Sequence, residues 1–360
     1  MGKETYSGKK KEIKQIVVKR LFGTLDHTVP LYEDGTTILV GPSGIGKTVI
    51  LKLLNELFSK SNKILQTIPF DEFRVDFEDN TSLWVTKERE YSQEQSKLTF
   101  HFRDEREQEH LYTLASQAPH KIVAERPFWL PTDNYATFEH NHADHKMERV
   151  LPTGEILSSE DILQGSQGPL DEIPQWLVEV RQSVPIHFID TQRLSYVIRT
   201  VKPNGSGIQA MIIPTVDAYA EELAELLKTD QAASPELTYN IEKLQAEINK
   251  LFLYKKMSVS QEEGFVFTDD SGTQLAPHDL SLGEQNVLAL FYDLIFHVAP
   301  GALILIDEPD VSLHVVWQRE FLETLWGVAT ARSGLLIVTH SPSIIRNVWD
   351  MVVSLKKKAA

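Results

Sequence analysis

No cysteine occurs anywhere in the 360 residues, which removes disulfides, thiolate metal sites, iron–sulfur clusters and cysteine nucleophiles together. Basic residues are also scarce: 36 Lys and Arg stand against 51 Asp and Glu, a formal net charge of −15. Nonspecific duplex binding depends on neutralising phosphates with Lys and Arg, so a surface coated in phosphate contacts is not expected. The one basic concentration is at the start, where Lys3, Lys9, Lys10, Lys11, Lys14, Lys19 and Arg20 face only Glu4 and Glu12. That end reads as a flexible basic tail over residues 1–12, with a nucleic-acid or partner contact as the second reading. Long apolar runs are missing too. Nothing approaches the roughly 18 uninterrupted apolar residues of a membrane helix, and MGKETYSGKKKEIK has no apolar signal core. A cytoplasmic protein without membrane contact is the expectation. No internal repeat or low-complexity segment is found.

What is present, 42% hydrophobic residues, is enough to bury a sizeable core. Residues 13–40 alternate short β-rich runs with turns. FRVDFEDNTSLWVTKE and KLTFHF, between residues 70 and 102, alternate around an Asp79-Asn80 turn and predict an antiparallel side sheet. Prolines at 119, 127, 131, 152, 169 and 174 mark residues 118–180 as loops with short helices. VPIHFID, at 184–190, is a compact apolar strand. Helices are predicted at 216–228 and 236–252, the second with Leu237, Ile241, Leu244, Ile248 and Leu251 on a heptad seam. That seam is shorter than the 3 to 4 heptads of a coiled coil and predicts a short helical hairpin. The last ninety residues alternate helices with the apolar runs ALILI, GLLIVTH and MVVSL, which implies a parallel sheet covered on both faces.

Four motifs carry chemistry. GPSGIGKT comprises Gly41, Pro42, Ser43, Gly44, Ile45, Gly46, Lys47 and Thr48, and lies between an apolar strand and a helix. In that context the glycines let backbone N–H groups converge on a β-phosphate, Lys47 neutralises β/γ oxygens, and the Thr48 hydroxyl ligates Mg²⁺. ALILIDEPD is an apolar strand ending in two carboxylates: Asp307 is read as the Mg²⁺ holder and Glu308 as the group that polarises the attacking water. His340, after the strand LLIVT, is read as a donor near the γ-phosphate. LSLGEQ places Ser281 and Gly283 at a helix start with Glu284 three residues into it. It is either a plain capping box or an anion site, and in the second case its natural target is a phosphate held by another subunit.

GPSGIGKT, LSLGEQ, LILIDEP and VTHS occur in the order and context of ATP-binding-cassette ATPases. With VKRLFGTLDHTVPL, FIDTQRL, DEPDVSLHVVWQ and VTHSPSII, the chain resembles the soluble group related to RecF, chromosome-maintenance and OLD-type ATPases, and among them stand-alone ATPases found beside nucleases in bacterial anti-phage defence. The resemblance implies an α/β P-loop ATPase head, a mixed sheet with an antiparallel side sheet. The head would span 13–190 and 275–360, and a helical hairpin insertion 191–274. It implies a head-to-tail dimer around ATP and Mg²⁺, with Ser281 and Gly283 acting in trans and Lys47, Thr48, Asp307, Glu308 and His340 in cis. Ser312, Leu313 and His314 would lie at the dimer seam, Gln192 would sense Mg²⁺ and the attacking water, and Arg20 and the turn Phe22 to Leu25 would meet base and ribose. Ser43, where relatives commonly carry Asn, and Leu282, where they carry a small residue, depart from the pattern.

The function expected is a regulatory ATPase controlling a separate effector, a nuclease, since the chain shows no Toprim-like carboxylate spacing and no HNH-like histidine set. His140, His142 and His145 form HNHADH, a metal candidate or an incidental solvated loop. The alternative is a genome-maintenance ATPase that clamps DNA. A transporter subunit fits poorly, because Lys47 and Ser281 are 234 positions apart (281 minus 47).

Overall fold

The computed structural model describes residues 10–32, 35–89, 96–114, 149–150, 156–157, 173–191, 194–201, 209–229, 234–313, 315–329 and 334–357. Two sheets position the site. The first is antiparallel, with β1 (Ile13–Leu21), β2 (Leu25–Pro30), β4 (Glu72–Phe77), β5 (Ser82–Arg89), β6 (Ser96–Arg103) and β7 (Glu109–Leu114) in the order β2-β1-β4-β5-β6-β7. The alternation seen in sequence sets its faces: Phe73, Val75 and Phe77 of β4 are buried, while Glu72, Arg74 and Asp76 point outward. β7 is an edge strand beyond the anticipated sheet, and its shallow burial explains its weak pattern. Between residues 118 and 180 the described elements are a two-residue strand pair, β8 (Arg149–Val150) with β9 (Ile156–Leu157), and a helix, α3 (Gln175–Ser183).

The second sheet is wholly parallel, in the order β10 (Ile186–Asp190), β16 (Leu303–Asp307), β17 (Gly334–Val338), β3 (Thr36–Val40), β18 (Val352–Ser354). It separates two cores. Leu39, Leu303, Leu305, Leu336 and Val338 face one, which contains α1 (Lys47–Phe58) and α3 beneath the side sheet; Ile38, Ile304, Ile306, Leu335 and Ile337 face the other. Burial on both faces is why these strands read as unbroken apolar runs. α1 buries Ile50, Leu51, Leu53, Leu54 and Leu57, an apolar stripe at helical spacing. A short helix, α2 (Lys63–Thr67), follows it.

The second core is built around α6 (Leu282–Phe296), with α4 (Thr215–Lys228), α5 (Pro235–Leu251) and α7 (Val315–Val328) packed about it. Here the structure corrects the helical hairpin expected between 191 and 274. That segment also contains the hairpin of β11 (Tyr196–Val201) with β12 (Gln209–Pro214), and a small sheet of β13 (Lys255–Ser260), β14 (Gly264–Asp269) and β15 (Gln274–Leu275). Both helices pack on α6, α4 also against β14 and α5 also against β13 and α7. The seam residues Leu237, Leu244, Ile248 and Leu251 are buried in the core they share with Val287, Leu288 and Phe291 of α6. The apolar stripe is therefore satisfied inside the lobe. A last short helix, α8 (Pro342–Ile345), leads to β18. Among the described residues no helix is long and apolar enough to cross a membrane.

Candidate nucleotide site

The carboxyl ends of β10, β16, β17 and β3 lie side by side, and each strand delivers a polar group there. β3 runs into the loop of residues 41–46, which turns directly into α1. Gly46 caps α1 with φ 96°, and a Cβ at that position would sit 2.5 Å from Leu21 Cδ2. Only glycine fits, because the loop closes against the β1–β2 turn. Pro42, Ser43 and Gly44 form the exposed crest, while Ile45 is buried and anchors it. The buried Lys47 reaches back across the loop, donating from Nζ to the carbonyls of Gly41 (2.9 Å) and Pro42 (3.0 Å). Burial pulls its pKa below the ordinary value, against the raising influence of Glu308, Asp307 and Asp310.

β16 delivers two carboxylates. Thr48 Oγ1 donates to Asp307 Oδ1 at 3.0 Å, so α1 is tied to β16 across 259 residues. Burial first, then the neighbouring Asp190 and Glu308 charges, raise the Asp307 carboxyl from 3.8 to about 6, against the lowering influence of Thr48 and Lys52. Asp190 is its register partner on β10. Glu308 has φ 48° and ψ 56°, a left-handed conformation in a non-glycine residue that also precedes Pro309. Such geometry persists only where neighbours hold it. The Glu308 N–H donates to Val338 O at 2.9 Å, and the buried Thr191 hydroxyl lies 2.6 Å from the Asp307 carbonyl and 2.8 Å from that of Glu308. From β17, His340 places Nε2 3.6 Å from Glu308 Oε1. Behind them Thr339 Oγ1 donates to Asp310 Oδ1 (2.5 Å), Ser341 Oγ donates to Gln318 Oε1 (2.7 Å), and Gln318 Nε2 donates to the Asp310 carbonyl (3.2 Å).

Lys47, Thr48, Asp307, Glu308 and His340 are thus brought to one edge. Arg20, in the irregular last residues of β1, and Phe22, on the β1–β2 turn, both have positive φ (51° and 53°), and Phe22 is 43% exposed beside Gly46. Ser281, Gly283 and Glu284 stand at the N-terminus of α6, where the hydrogen-bond partners of Ser281 and Glu284 lie within the cap itself and on Lys255. The Glu284 carboxyl, which burial alone would push up, is held below its ordinary value by Lys255 and Ser281. Ser312 closes the 3₁₀ turn Pro309–Ser312 and Leu313 is buried. Gln192 and His314, with His140, His142 and His145, lie outside the described residues.

Three polar residues at this edge escaped the motif reading. His27, on β2, places its buried Nε2 3.0 Å from the Ile45 carbonyl and braces the loop; burial lowers its pKa, against that bond and Asp26. Thr191 holds the Asp307–Glu308 backbone, and Asp190 extends the carboxylate row. Only Asp190 left a trace in sequence, as the acidic end of an apolar strand.

A parallel sheet with a G-x-x-x-x-G-K-T loop on one strand end, a hydroxyl–carboxylate pair beside it and a glutamate one residue further on defines a P-loop ATPase fold. The AAA ATPase domain family matches residues 12–345, and the chain belongs to that family. It is 39% identical to Protein ea59 of Escherichia phage lambda over 70 residues, which span 19% of this chain and 13% of that relative's length. Among solved structures it is similar to the SMC head domain from Thermotoga maritima, with 11% identity, TM-score 0.42, and 96% and 95% of the two chains covered. The Smc head domain of Pyrococcus furiosus, bound to the C-terminal domain of ScpA, aligns with 11% identity, TM-score 0.39 and 97% and 94% coverage.

Proposed function

We propose that this ATPase is a Mg²⁺-dependent regulatory subunit that closes head to tail with a second copy around ATP and controls a separate effector, a nuclease of anti-phage defence. The observation that carries the ATPase chemistry is the meeting of Thr48 with Asp307, and of Glu308 with His340, at the mouth of the 41–48 loop. Hard oxygen donors suit Mg²⁺, and a carboxylate crowded by Asp190 and Glu308 fits a site that a divalent cation completes. Thr48 and Asp307 would hold the ion, which supplies charge neutralisation on the phosphates.

Around it the chain's own residues divide the work. The loop N–H groups and Lys47 bind the phosphates, with Lys47 exchanging its two carbonyl partners for phosphate oxygens. Glu308 orients water and accepts its proton, His340 donates to the transferring group, and Ser281 and Gly283 of the partner copy cover the γ-phosphate. Gln192 senses the ion and water, while Arg20 and Phe22 meet the nucleoside. The resemblance of the motifs to defence ATPases supports the nuclease partner. The DNA-clamping alternative draws on the basic N-terminal run, but Lys11 is engaged by Asp79 and Thr81, and Lys19 by Glu72.

Glu308→Gln tests the assignment. It is expected to lower turnover roughly 10²- to 10⁴-fold while retaining ATP and accumulating a closed dimer; parental phosphate release would overturn the base. Duplex binding titrated against salt, with and without ATP, separates the two readings of partner.

A further inference from the structure

The cap of α6 holds a charge arrangement that a helix start does not require. Ser281 and Glu284 form a capping box: Ser281 Oγ accepts from the Glu284 N–H at 3.4 Å, and Glu284 Oε2 accepts from the Ser281 N–H at 2.8 Å. That same oxygen also takes the Ser281 hydroxyl proton, at 2.7 Å. Lys255, from the start of β13, then closes on both carboxylate oxygens at 2.8 Å, with side chains only 23% and 12% exposed. The cap is complete without this lysine.

A phosphate needs two things from Ser281 that the bare cap withholds. The hydroxyl proton is already committed to Glu284, and the carboxylate that holds it repels an incoming anion. Lys255 answers both. Its ammonium cancels the carboxylate charge, and its donors remain on Glu284 when the serine proton turns away. The lysine also stands where an approaching subunit would arrive: Leu253 and Tyr254 just before it are 73% and 70% exposed, and Leu282 beside Ser281 is 56% exposed.

We infer that Lys255 is a positioning residue for the signature, neutralising Glu284 so that Ser281 can give its hydroxyl proton to a phosphate bound by a second copy. The inference rests on the in-trans reading of Ser281.

The test uses the full chain in the Glu308→Gln background, with ATP-dependent dimerisation followed by sedimentation over a protein dilution series and monomer affinity followed with a fluorescent ATP analogue. Lys255→Met is expected to weaken the dimer about tenfold while monomer affinity for the nucleotide stays at the parental value. Lys255→Arg is expected to keep most of the closure. Lys255→Met with Glu284→Gln is expected to recover most of it, because Gln still completes the box but carries no charge, a rescue that loss of packing alone would not show. Parental closure by Lys255→Met, or a double variant as weak as the single one, would overturn the inference. If Ser281→Arg closes like the parent, the in-trans reading fails and takes this inference with it; if Ser281→Arg is defective and Lys255→Met is not, only the inference fails.

Discussion

The strand-end edge and the α6 cap, the two places where we propose that phosphate is met, are buried to different degrees. At the edge, Lys47, Asp307 and Thr191 are almost fully buried, and each has its hydrogen-bond partner within the chain. At the cap, Ser281 and Leu282 are exposed, and an apolar side chain at the first helical position faces outward. Buried polar groups must be satisfied where they stand. Exposed ones remain open to a partner even when hydrogen-bonded within the chain, which is consistent with the proposal that one chain makes the edge and a second copy completes the cap.

The sharpest way to break that contrast is to damage each region in a different copy. Lys47→Ala and Ser281→Arg are each expected to lower turnover roughly 10³-fold alone, while an equimolar mixture regains activity from at most one composite site per dimer. Phosphate release by the mixture checks this, and no gain over the separate variants would place both motifs in one subunit's site.

A smaller effect separates the regions by stability. Leu305→Ala, inside the parallel sheet with no exposed surface, is expected to cost about 2–5 kcal/mol by leaving a cavity. Leu282→Ala, at the cap, is expected to move the urea midpoint within about 0.5 kcal/mol. A large loss at Leu282 would mean that the cap is already packed in the monomer.

The smallest effect concerns the far end of the signature helix. There Asp293 lies 2.6 Å from His187 and 2.8 Å from His297, and His297 lies 2.9 Å from Glu222. Burial alone would push the Asp293 carboxyl up, but bonds to the two histidines bring it down from 3.8 to about 2. Burial alone would lower His297, but Asp293 and Glu222 carry it from 6.5 to about 9, and its position at a helix C-terminus favours the cation. The depressed Asp293 contributes stability above pH 3.8 that is lost as pH falls toward about 2. The raised His297 contributes stability below pH 6.5 that is lost as pH rises through about 9. Between pH 6.5 and 9 unfolding stability should therefore decline by on the order of 1–2 kcal/mol, and His297→Gln should flatten the decline. Urea midpoints across that window decide it, and an unchanged slope in the variant would remove His297 as the cause.

The motif loop was legible because its chemistry and its local structure coincide. GPSGIGKT lies between β3 and α1, and the two carboxylates end a strand apolar on both faces. β13 and β14 were not read, since KKMSVS buries Met257 alone, and GFVFTD, which buries Phe265 and Phe267, is a short run near a helix whose heptad seam pointed to a hairpin. Nor were the braces. Thr191 acts on carbonyls 116 and 117 positions away, His27 on one 18 away, and Lys255 on a carboxylate 29 away. Each is an ordinary residue until the fold supplies its partner.

By itself the amino-acid sequence determined the strongest local units: that the long apolar runs of the parallel sheet are strands, where the glycines allow the loop to turn, and which side chains can handle a phosphate. Those follow from side-chain period and backbone freedom, which act over a few residues. Only the tertiary structure decided that β10, β16, β17 and β3 end side by side, that α4 and α5 belong to the α6 core, and that Glu284 meets a lysine from another sheet. Those pairings are set by packing and by hydrogen bonds between distant segments, which no local pattern records.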